Sequence, residues 1–292
     1  MSPAAATLIG FSAIVLWSLL AALTAAAGPI PAFQMNAMCF GIGAAAAMLF
    51  WIRQPERARA LKQPLHVWAH GVAGLFGYHA LYFAALRLAP PAEASLVNYL
   101  WPLLIVLFSS LLPGERLRAF HVAGALIGFA GVVTLSFNAD LSARPEHALG
   151  YALAFAAALF WSAYSVLSRK MASVPTDAVV GFCAATAILS LACHMAFETT
   201  VWPGSFGAWV AIVALGLGPV GAAFYAWDIG CKRGDIKLLG VSAYAAPVLS
   251  TLALVASGFA QTTLALWLAC ALIVLGAVAA SADKLFARRS AG

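Results

Sequence analysis

Long apolar stretches alternate along the chain with short segments that hold most of its prolines, glycines and charges. Residues 103–112 and 265–280 are almost continuously apolar, whereas the strands of an outer-membrane barrel alternate apolar and polar residues. A helix that crosses a bilayer needs about 20 predominantly apolar residues. Breaks at proline, glycine and charge clusters predict ten such helices, at about residues 3–27, 31–53, 65–88, 92–112, 117–137, 148–170, 176–197, 206–231, 236–258 and 263–285.

The lysines and arginines fall mostly on one side of this ten-helix arrangement. With the N-terminus placed in the cytoplasm, 14 of the 16 lie in cytoplasmic loops or helix ends, and only Arg87 and Arg144 lie outside. Cytoplasmic loops of membrane proteins carry such an excess. The asymmetry predicts ten spans in a plasma (inner) membrane of the bacterial type, with both termini in the cytoplasm.

The two halves of the chain resemble each other. Shifts of 144 and 145 residues place matching residues on one another: Trp17 on Trp161, Ser18 on Ser162, Pro31 on Pro175, Tyr99 on Tyr244 and Pro102 on Pro247. Five helices per half is an odd number, so the second half must cross the membrane upside down. Inverted repeats are typical of transporters that alternate access around a central site. The pattern predicts an all-α integral membrane protein with repeats at 1–137 and 148–292, a connecting outer loop at 138–147 and a central cavity.

Composition narrows the class of protein. Hydrophobic residues make up 64% of the 292 residues and charged residues 9%, against about 25% charged in soluble domains. A soluble enzyme, a disordered chain and a disulfide scaffold are therefore excluded. The net charge of +6 is scattered over short loops, so no nucleic-acid partner is expected. The five cysteines form no CxxC and are expected to be small buried apolar residues.

The sequence contains no catalytic or cofactor-binding motif in the structural context that such a motif needs. Residues 216–221 match the dinucleotide-binding pattern GxGxxG, but no strand precedes them and no suitable acidic residue follows. No HExxH, GxSxG or P-loop occurs. The sequence predicts a protein that is not an enzyme and needs no metal or cofactor. The first apolar segment lacks a basic leader, and we expect it to be a retained helix.

The Trp-Ser pairs and residues 85–103, ALRLAPPAEASLVNYLWPL, identify a family resemblance. The chain resembles the drug/metabolite transporter superfamily in its ten-helix branch with two EamA-type repeats. The run from Asn98 to Pro102 makes it most similar to aromatic amino-acid exporters of the YddG type. The resemblance implies an inner-membrane exporter of aromatic and other neutral amino acids that works by alternating access. The alternatives are export of other metabolites or drugs on the same fold, or a membrane protein that does not transport. The energy source and the oligomeric state stay open, with a monomer among the options.

Several aromatic residues lie deep within the predicted helices, although tryptophan and tyrosine usually belong to the membrane interface. A wet aromatic cavity and a dry core both explain this placement, and the polar tips of buried Trp and Tyr favour the cavity. The centre is poor in charge, which suits net-neutral or zwitterionic solutes. The predicted substrate-binding residues are Trp17, Tyr78, His79, Tyr82, Asn98, Tyr99, Trp101, Trp161, Tyr164, Ser165, Trp227 and Tyr244.

The sequence also predicts roles for two prolines and for several polar residues within or near the helices. Pro102 and Pro247 lie inside predicted helices at equivalent positions, and we expect them to bend those helices as hinges. Asp228 is expected to pair with Lys232, one turn away. His79 is either bonded to a backbone carbonyl or a ligand of substrate or protons. His194 and Glu198 are expected to be solvated near the outer end of their helix.

Overall fold

The computed structural model describes residues 1–135, 145–256 and 263–280, and all regular secondary structure in these ranges is helical. The described α-helices are α1 (Pro3–Trp17), α2 (Leu20–Ala27), α3 (Ala32–Trp51), α4 (Leu65–Val72), α5 (Tyr78–Leu88), α6 (Pro91–Asn98), α7 (Trp101–Ser109), α8 (Ala119–Leu135), α9 (Ala148–Lys170), α10 (Ala178–Phe197), α11 (Phe206–Leu215), α12 (Ala223–Arg233), α13 (Ile236–Ser242), α14 (Ala245–Ala256) and α15 (Leu264–Ala280). Short 3-10 helices lie at Pro55–Leu61 and Pro145–His147, and π-helical segments at Ala73–Gly77 and Gly216–Ala222. Most of the predicted loop 138–147 lies outside the described residues.

Many of these helices have the length and composition of membrane spans. Within the described residues, six helical segments are long and apolar enough to cross a membrane, and three shorter apolar helices accompany them. Their outward faces carry large apolar side chains such as Leu8, Ile188 and Val274, each more than half exposed. Exposure of this kind is unfavourable in water and suits contact with lipid.

Several predicted helices are interrupted near their middle. The predicted helix 92–112 consists of α6 and α7, and the predicted helix 236–258 consists of α13 and α14. Pro102 is the second residue of α7 and Pro247 the third residue of α14, where backbone N–H groups have no partner within the helix. These prolines therefore do not lie inside regular α-helices as expected, because each lies in the first turn of a new helix. That they act as hinges stays a prediction.

The helix bounds recur along the chain. A shift of 145 residues superimposes α8 on α15 and the start of α6, Pro91, on the start of α13, Ile236. The same shift places the first π-helical segment within the second. The recurrence therefore includes irregular elements. These are stronger evidence of a repeat than apolar helices, because apolar helices are common in any membrane protein.

Helices of one half pack mainly against helices of the other. The pairs are α3 with α10, α8 with α15, α1 with α12 and α5 with α9. At the start of α3, the Phe33 N–H contacts Glu198, which follows α10. Beyond the end of α3, Arg57 contacts Asp177, which precedes α10. The helices α3 and α10 are therefore antiparallel.

Two glycines allow α8 and α15 to meet at backbone distance. A Cβ atom on Gly124 would lie 2.5 Å from the Gly276 carbonyl oxygen, and one on Gly276 would lie 2.6 Å from the Gly124 carbonyl oxygen. Small residues at such crossings replace side-chain interdigitation by direct backbone packing. The contact explains the small-residue pattern of α8.

We predict that Gly276→Ala lowers the free energy of unfolding by about 1–3 kcal/mol, because the added methyl group forces the helices apart. The matched control is Gly41→Ala in α3, where the nearest atom to the added Cβ is 3.9 Å away. Thermal unfolding of both variants in the same detergent compares them. Equal melting temperatures would contradict the tight crossing.

A candidate binding cavity

A cavity of about 590 Å³ lies between the two halves of the chain, within the usual range for small-molecule sites. None of the described residues that line it is Asp, Glu, Lys or Arg. Nine of them are aromatic, counting histidine: Trp17, Tyr78, His79, Tyr82, Phe83, Tyr99, Trp101, Trp161 and Phe224. The cavity is therefore uncharged and largely aromatic.

The cavity is open at one end and closed at the other. Thr24, at the open end, is exposed, and we call this end the mouth. Opposite the mouth, Trp101 is 6% exposed and Trp161 only 4%. A layer of four tryptophan rings closes this end, and we call it the floor: Trp17, Trp101, Trp161 and Trp227, with ring centroids 5.1 to 6.2 Å apart in the contacting pairs.

Two hydrogen bonds join α5 to α6 along the cavity wall. The Asn98 Nδ2 donates to the Tyr78 hydroxyl at 3.1 Å. The hydroxyls of Tyr82 and Ser95 lie 2.8 Å apart. Because Tyr78 and Tyr82 are one helical turn apart, their rings stack with centroids separated by 6.0 Å. The bonds fix both rings on the cavity side of α5.

Two cavity residues bind carbonyl oxygens of the π-helical segments. The Trp17 Nε1 donates to the Pro219 carbonyl at 3.0 Å. The His79 Nδ1 lies 2.7 Å from the Leu75 carbonyl and acts as the donor. Backbone irregularity at membrane depth is tolerated where protein groups satisfy it. One of the two expectations for His79, a bond to a backbone carbonyl, is confirmed.

Beyond the floor, a buried ion pair ties α12 to the loop before α10. Lys232 Nζ lies 2.8 Å from Asp228 Oδ2, and both side chains are no more than 5% exposed. Lys232 also donates to the Val174 carbonyl at 2.9 Å, and the Thr176 hydroxyl donates to Asp228 at 2.7 Å. The predicted pairing of Asp228 with Lys232 is confirmed. Buried charges persist where they are paired and hydrogen-bonded in this way.

Near the mouth, the side chain of Glu198 is only 2% exposed. Its carboxylate accepts hydrogen bonds of 3.0 Å from the Phe33 and Gln34 N–H groups, and lies 3.0 Å from both Arg87 and His194. Burial alone would raise its pKa, but the bonds from Phe33, His194 and Gln34, together with Arg87, hold the pKa below its ordinary value. The expectation that His194 and Glu198 are solvated is wrong, because the end of α10 faces the unpaired N–H groups that begin α3.

Eight of the predicted site residues line the cavity: Trp17, Tyr78, His79, Tyr82, Asn98, Tyr99, Trp101 and Trp161. Three others lie behind the cavity wall. Tyr164 stacks on Trp161 and, beyond the floor, on His70. Ser165 accepts a hydrogen bond of 3.0 Å from Trp227 Nε1, and neither residue lines the cavity. Trp227 belongs to the floor on the side away from the cavity, and Tyr164 and Ser165 support the floor from behind.

Tyr244 is the fourth residue outside the cavity. Its side chain is fully buried and packs against Val132 of α8 and Ile273 of α15. A Cβ atom on Gly128 would lie 2.6 Å from its ring. Tyr99, its counterpart in the first half, lines the cavity. Equivalent positions in a repeat therefore have different surroundings here.

The sequence reasoning missed Asn36 and Phe224, which also line the cavity. Asn36 is a buried polar residue in the second turn of the apolar helix α3 and donates to the Ser190 hydroxyl at 2.7 Å. Phe224 stacks on Phe40 with ring centroids 5.4 Å apart. The position of Phe224, three residues before Trp227 on the same helix, is the signal that could have found it.

Residues 4–137 and 148–282 match the EamA-like transporter family. Together these two stretches cover most of the chain. The chain belongs to the EamA-like transporter family. It is therefore a multi-pass membrane protein, and the family resemblance predicted from its sequence is confirmed.

This EamA-like protein has named relatives. It is 58% identical over 292 residues to "Aromatic amino acid exporter YddG" of Ancylobacter novellus, which covers 99% of this chain and 100% of that protein. It is 28% identical over 269 residues to the protein of the same name from Salmonella typhimurium, covering 86% of this chain and 88% of that one. A crystal structure with 58% sequence identity superposes with a TM-score of 0.92 over 98% of this chain and 100% of that chain.

We predict that Glu198→Gln lowers thermal stability at neutral pH and that the deficit shrinks in acid. A carboxylate whose pKa is depressed by folding stabilises the protein above its unfolded pKa of about 4.3, and this contribution is lost as the pH falls through the lower folded value. Melting temperatures of both proteins in detergent from pH 8 downward provide the measurement. A deficit that stays constant below about pH 4 would show that the charge of Glu198 does not stabilise the fold.

Proposed function

We propose that this protein exports aromatic and other neutral amino acids across the cytoplasmic membrane by alternating access, and that it catalyses no reaction. One observation carries the proposal: an uncharged aromatic cavity lies between the two halves, open at one end and closed by tryptophans at the other. Relatives over nearly the full length that are named aromatic amino acid exporters support the substrate class.

The wall of the cavity suits an amino acid with a flat apolar side chain. Aromatic rings contribute roughly 0.5–1.5 kcal/mol per stacked or edge-on pair beyond the burial of apolar area. A zwitterion carries no net charge, so it needs hydrogen-bonding groups and no fixed counter-charge. Tyr99 and Trp161 line the cavity, and neither the Tyr99 hydroxyl nor the Trp161 indole N–H makes a hydrogen bond to another described residue.

We propose that the fold consists of ten transmembrane helices in two inverted repeats, 1–137 and 148–292, joined by the loop 138–147. The recurrence of helix bounds at a shift of 145 residues supports the duplication. The antiparallel course of the equivalent helices α3 and α10 supports the inversion. The charge asymmetry of the loops supports cytoplasmic termini, and the mouth then faces outward.

We propose that the breaks before Pro102 and Pro247 act as hinges. Residues 99–100 separate α6 from α7, and residues 243–244 separate α13 from α14. A proline in the first turn of a helix prevents the preceding helix from continuing through it. Each break lets its two half-helices change their angle while both keep their internal hydrogen bonds. The partners of the protein in this account are the amino acid and the lipid bilayer.

We predict that Tyr82→Ala or Trp161→Ala weakens the apparent binding of phenylalanine during transport by roughly 1 kcal/mol or more. The apparent binding of threonine should weaken less, because only the aromatic substrate loses stacking. The measurement is the concentration dependence of labelled phenylalanine and threonine flux in proteoliposomes, normalised to folded protein. The control is Trp209→Ala, in which the replaced ring is 41% exposed, stacks on Trp202 and does not line the cavity.

Two outcomes would overturn parts of the proposal. A parallel loss for both substrates would remove aromatic recognition by the cavity while leaving a transporter. Absence of flux for every amino acid in vesicles that hold folded protein would overturn amino-acid export itself.

A further inference from the structure

Residues that correspond to one another in the two halves of the chain lie at the mouth and beyond the floor, and their contacts differ at the two places. Under the shift of 145, Lys232 corresponds to Arg87, and Asp228 to Phe83. Under the shift of 144, Val174 corresponds to Ile30, and Thr176 to Ala32. The four residues of the second half lie beyond the floor, and their four counterparts lie at the mouth.

At the closed end, the two segments are tied together. Lys232 Nζ donates to the Val174 carbonyl at 2.9 Å, and Thr176 donates to Asp228 at 2.7 Å. The cation thus reaches across from the end of α12 to the backbone of the loop that precedes α10. The two bonds therefore hold the end of this helix against the loop.

At the mouth, the equivalent segments meet at the rings of Phe33 and Phe83, whose centroids lie 5.6 Å apart. No hydrogen bond joins Arg87 to Ile30. Ile30, Ala32 and Phe83 all line the open cavity. The Ile30 carbonyl accepts no hydrogen bond from another described residue, whereas its counterpart on Val174 accepts one from Lys232. Arg87 instead contacts Glu198 at 3.0 Å, with 54% of its side chain exposed. A guanidinium carries five donors, so it has capacity for a second acceptor.

We propose that Arg87 is a positioning residue for closure of the mouth, and that in the alternate access state its guanidinium binds the Ile30 carbonyl as Lys232 now binds Val174. Closure brings the end of α5 against the loop before α3, so that Ala32 and Phe83 meet as Thr176 and Asp228 meet now. The proposal rests on the alternating access proposed above. It assigns Arg87 two partners, Glu198 with the mouth open and the Ile30 carbonyl with the mouth closed.

The double variant Ala32→Cys/Phe83→Cys tests the approach directly. We expect copper phenanthroline to cross-link the pair and to abolish the phenylalanine flux that the reduced double variant retains, and a reducing agent to restore that flux, because closure brings the two cysteines within bonding distance. Phe83 lines the cavity, so flux is compared with the reduced double variant and not with the wild type. The background carries Cys193→Ser and Cys270→Ser, since these two native cysteines are partly exposed, and Cys39→Ser, since Cys39 lines the cavity. The matched control is Ala32→Cys/Leu88→Cys. Leu88 lies at the same helix end but is 44% exposed and does not line the cavity.

The role of Arg87 is tested in the cross-linking background. Cross-linking rate reports the population of the closed mouth. We expect Arg87→Gln to lower the rate per folded protein by about fivefold or more, and Arg87→Lys, which keeps the cationic donor found at position 232, to hold it within about twofold. If Arg87 only stabilised the fold through Glu198, the glutamine variant would lower the yield and leave the rate unchanged, which would overturn the proposal.

The remaining outcomes separate this proposal from the proposed function. Phenylalanine flux in the reduced double variant without any cross-link on oxidation would overturn closure at Ala32 and Phe83 and leave amino-acid export standing. Cross-linking of the control pair at an equal rate would also overturn it, because the approach would then be unspecific. A cross-linking rate that falls in Arg87→Gln, in a protein without flux of any amino acid, would support closure of the mouth by Arg87 and overturn the proposed export of amino acids.

Discussion

In the hydrocarbon core of a bilayer, each polar group must find its partner inside the protein, because water supplies none. The whole arrangement of this structure depends on that constraint. The π-helical segments are kept at membrane depth by side chains that bind their carbonyl oxygens, Trp17 at Pro219 and His79 at Leu75. The buried charge of Lys232 is neutralised by Asp228. Each of the two π-helical interruptions thus has a specific contact that satisfies one of its carbonyl oxygens.

The same interruptions make the cavity. Continuous helices would pack along their full length, whereas half-helices that start and stop near the centre leave room between their ends. Tyr99 lies in one break, Trp101 directly follows it, and both residues line the cavity. Recognition inside that space relies on aromatic surface and neutral hydrogen-bonding groups. A fixed charge would hold a counter-ion as well as the substrate and would oppose release, so its absence from the lining suits a path through the protein.

The apolar pattern was enough to predict the helical class, and the depth of the aromatic residues within the predicted helices was enough to predict eight of the residues that line the cavity. They could not predict the surroundings of Tyr244, since Gly128 admits its ring into a contact between α8 and α15 that the first half does not share. Periodicity also continued through the breaks in the fourth and ninth predicted helices, where both segments remain apolar. The burial of Glu198 could not be predicted either, because it depends on which helix start packs against it, and that is a property of tertiary packing.

The central claim is that an amino acid binds in the cavity above the tryptophan floor, from the side of the mouth. The most direct measurement uses Met35→Cys in α3, a position on the cavity wall, in a background with Cys39, Cys193 and Cys270 replaced. A membrane-impermeant thiol reagent is applied to each side of right-side-out vesicles. The account predicts modification from outside only, slowed by phenylalanine by about fivefold or more in a saturable manner. Modification that phenylalanine does not slow in vesicles that transport it, or modification from the cytoplasmic side alone, would contradict the account.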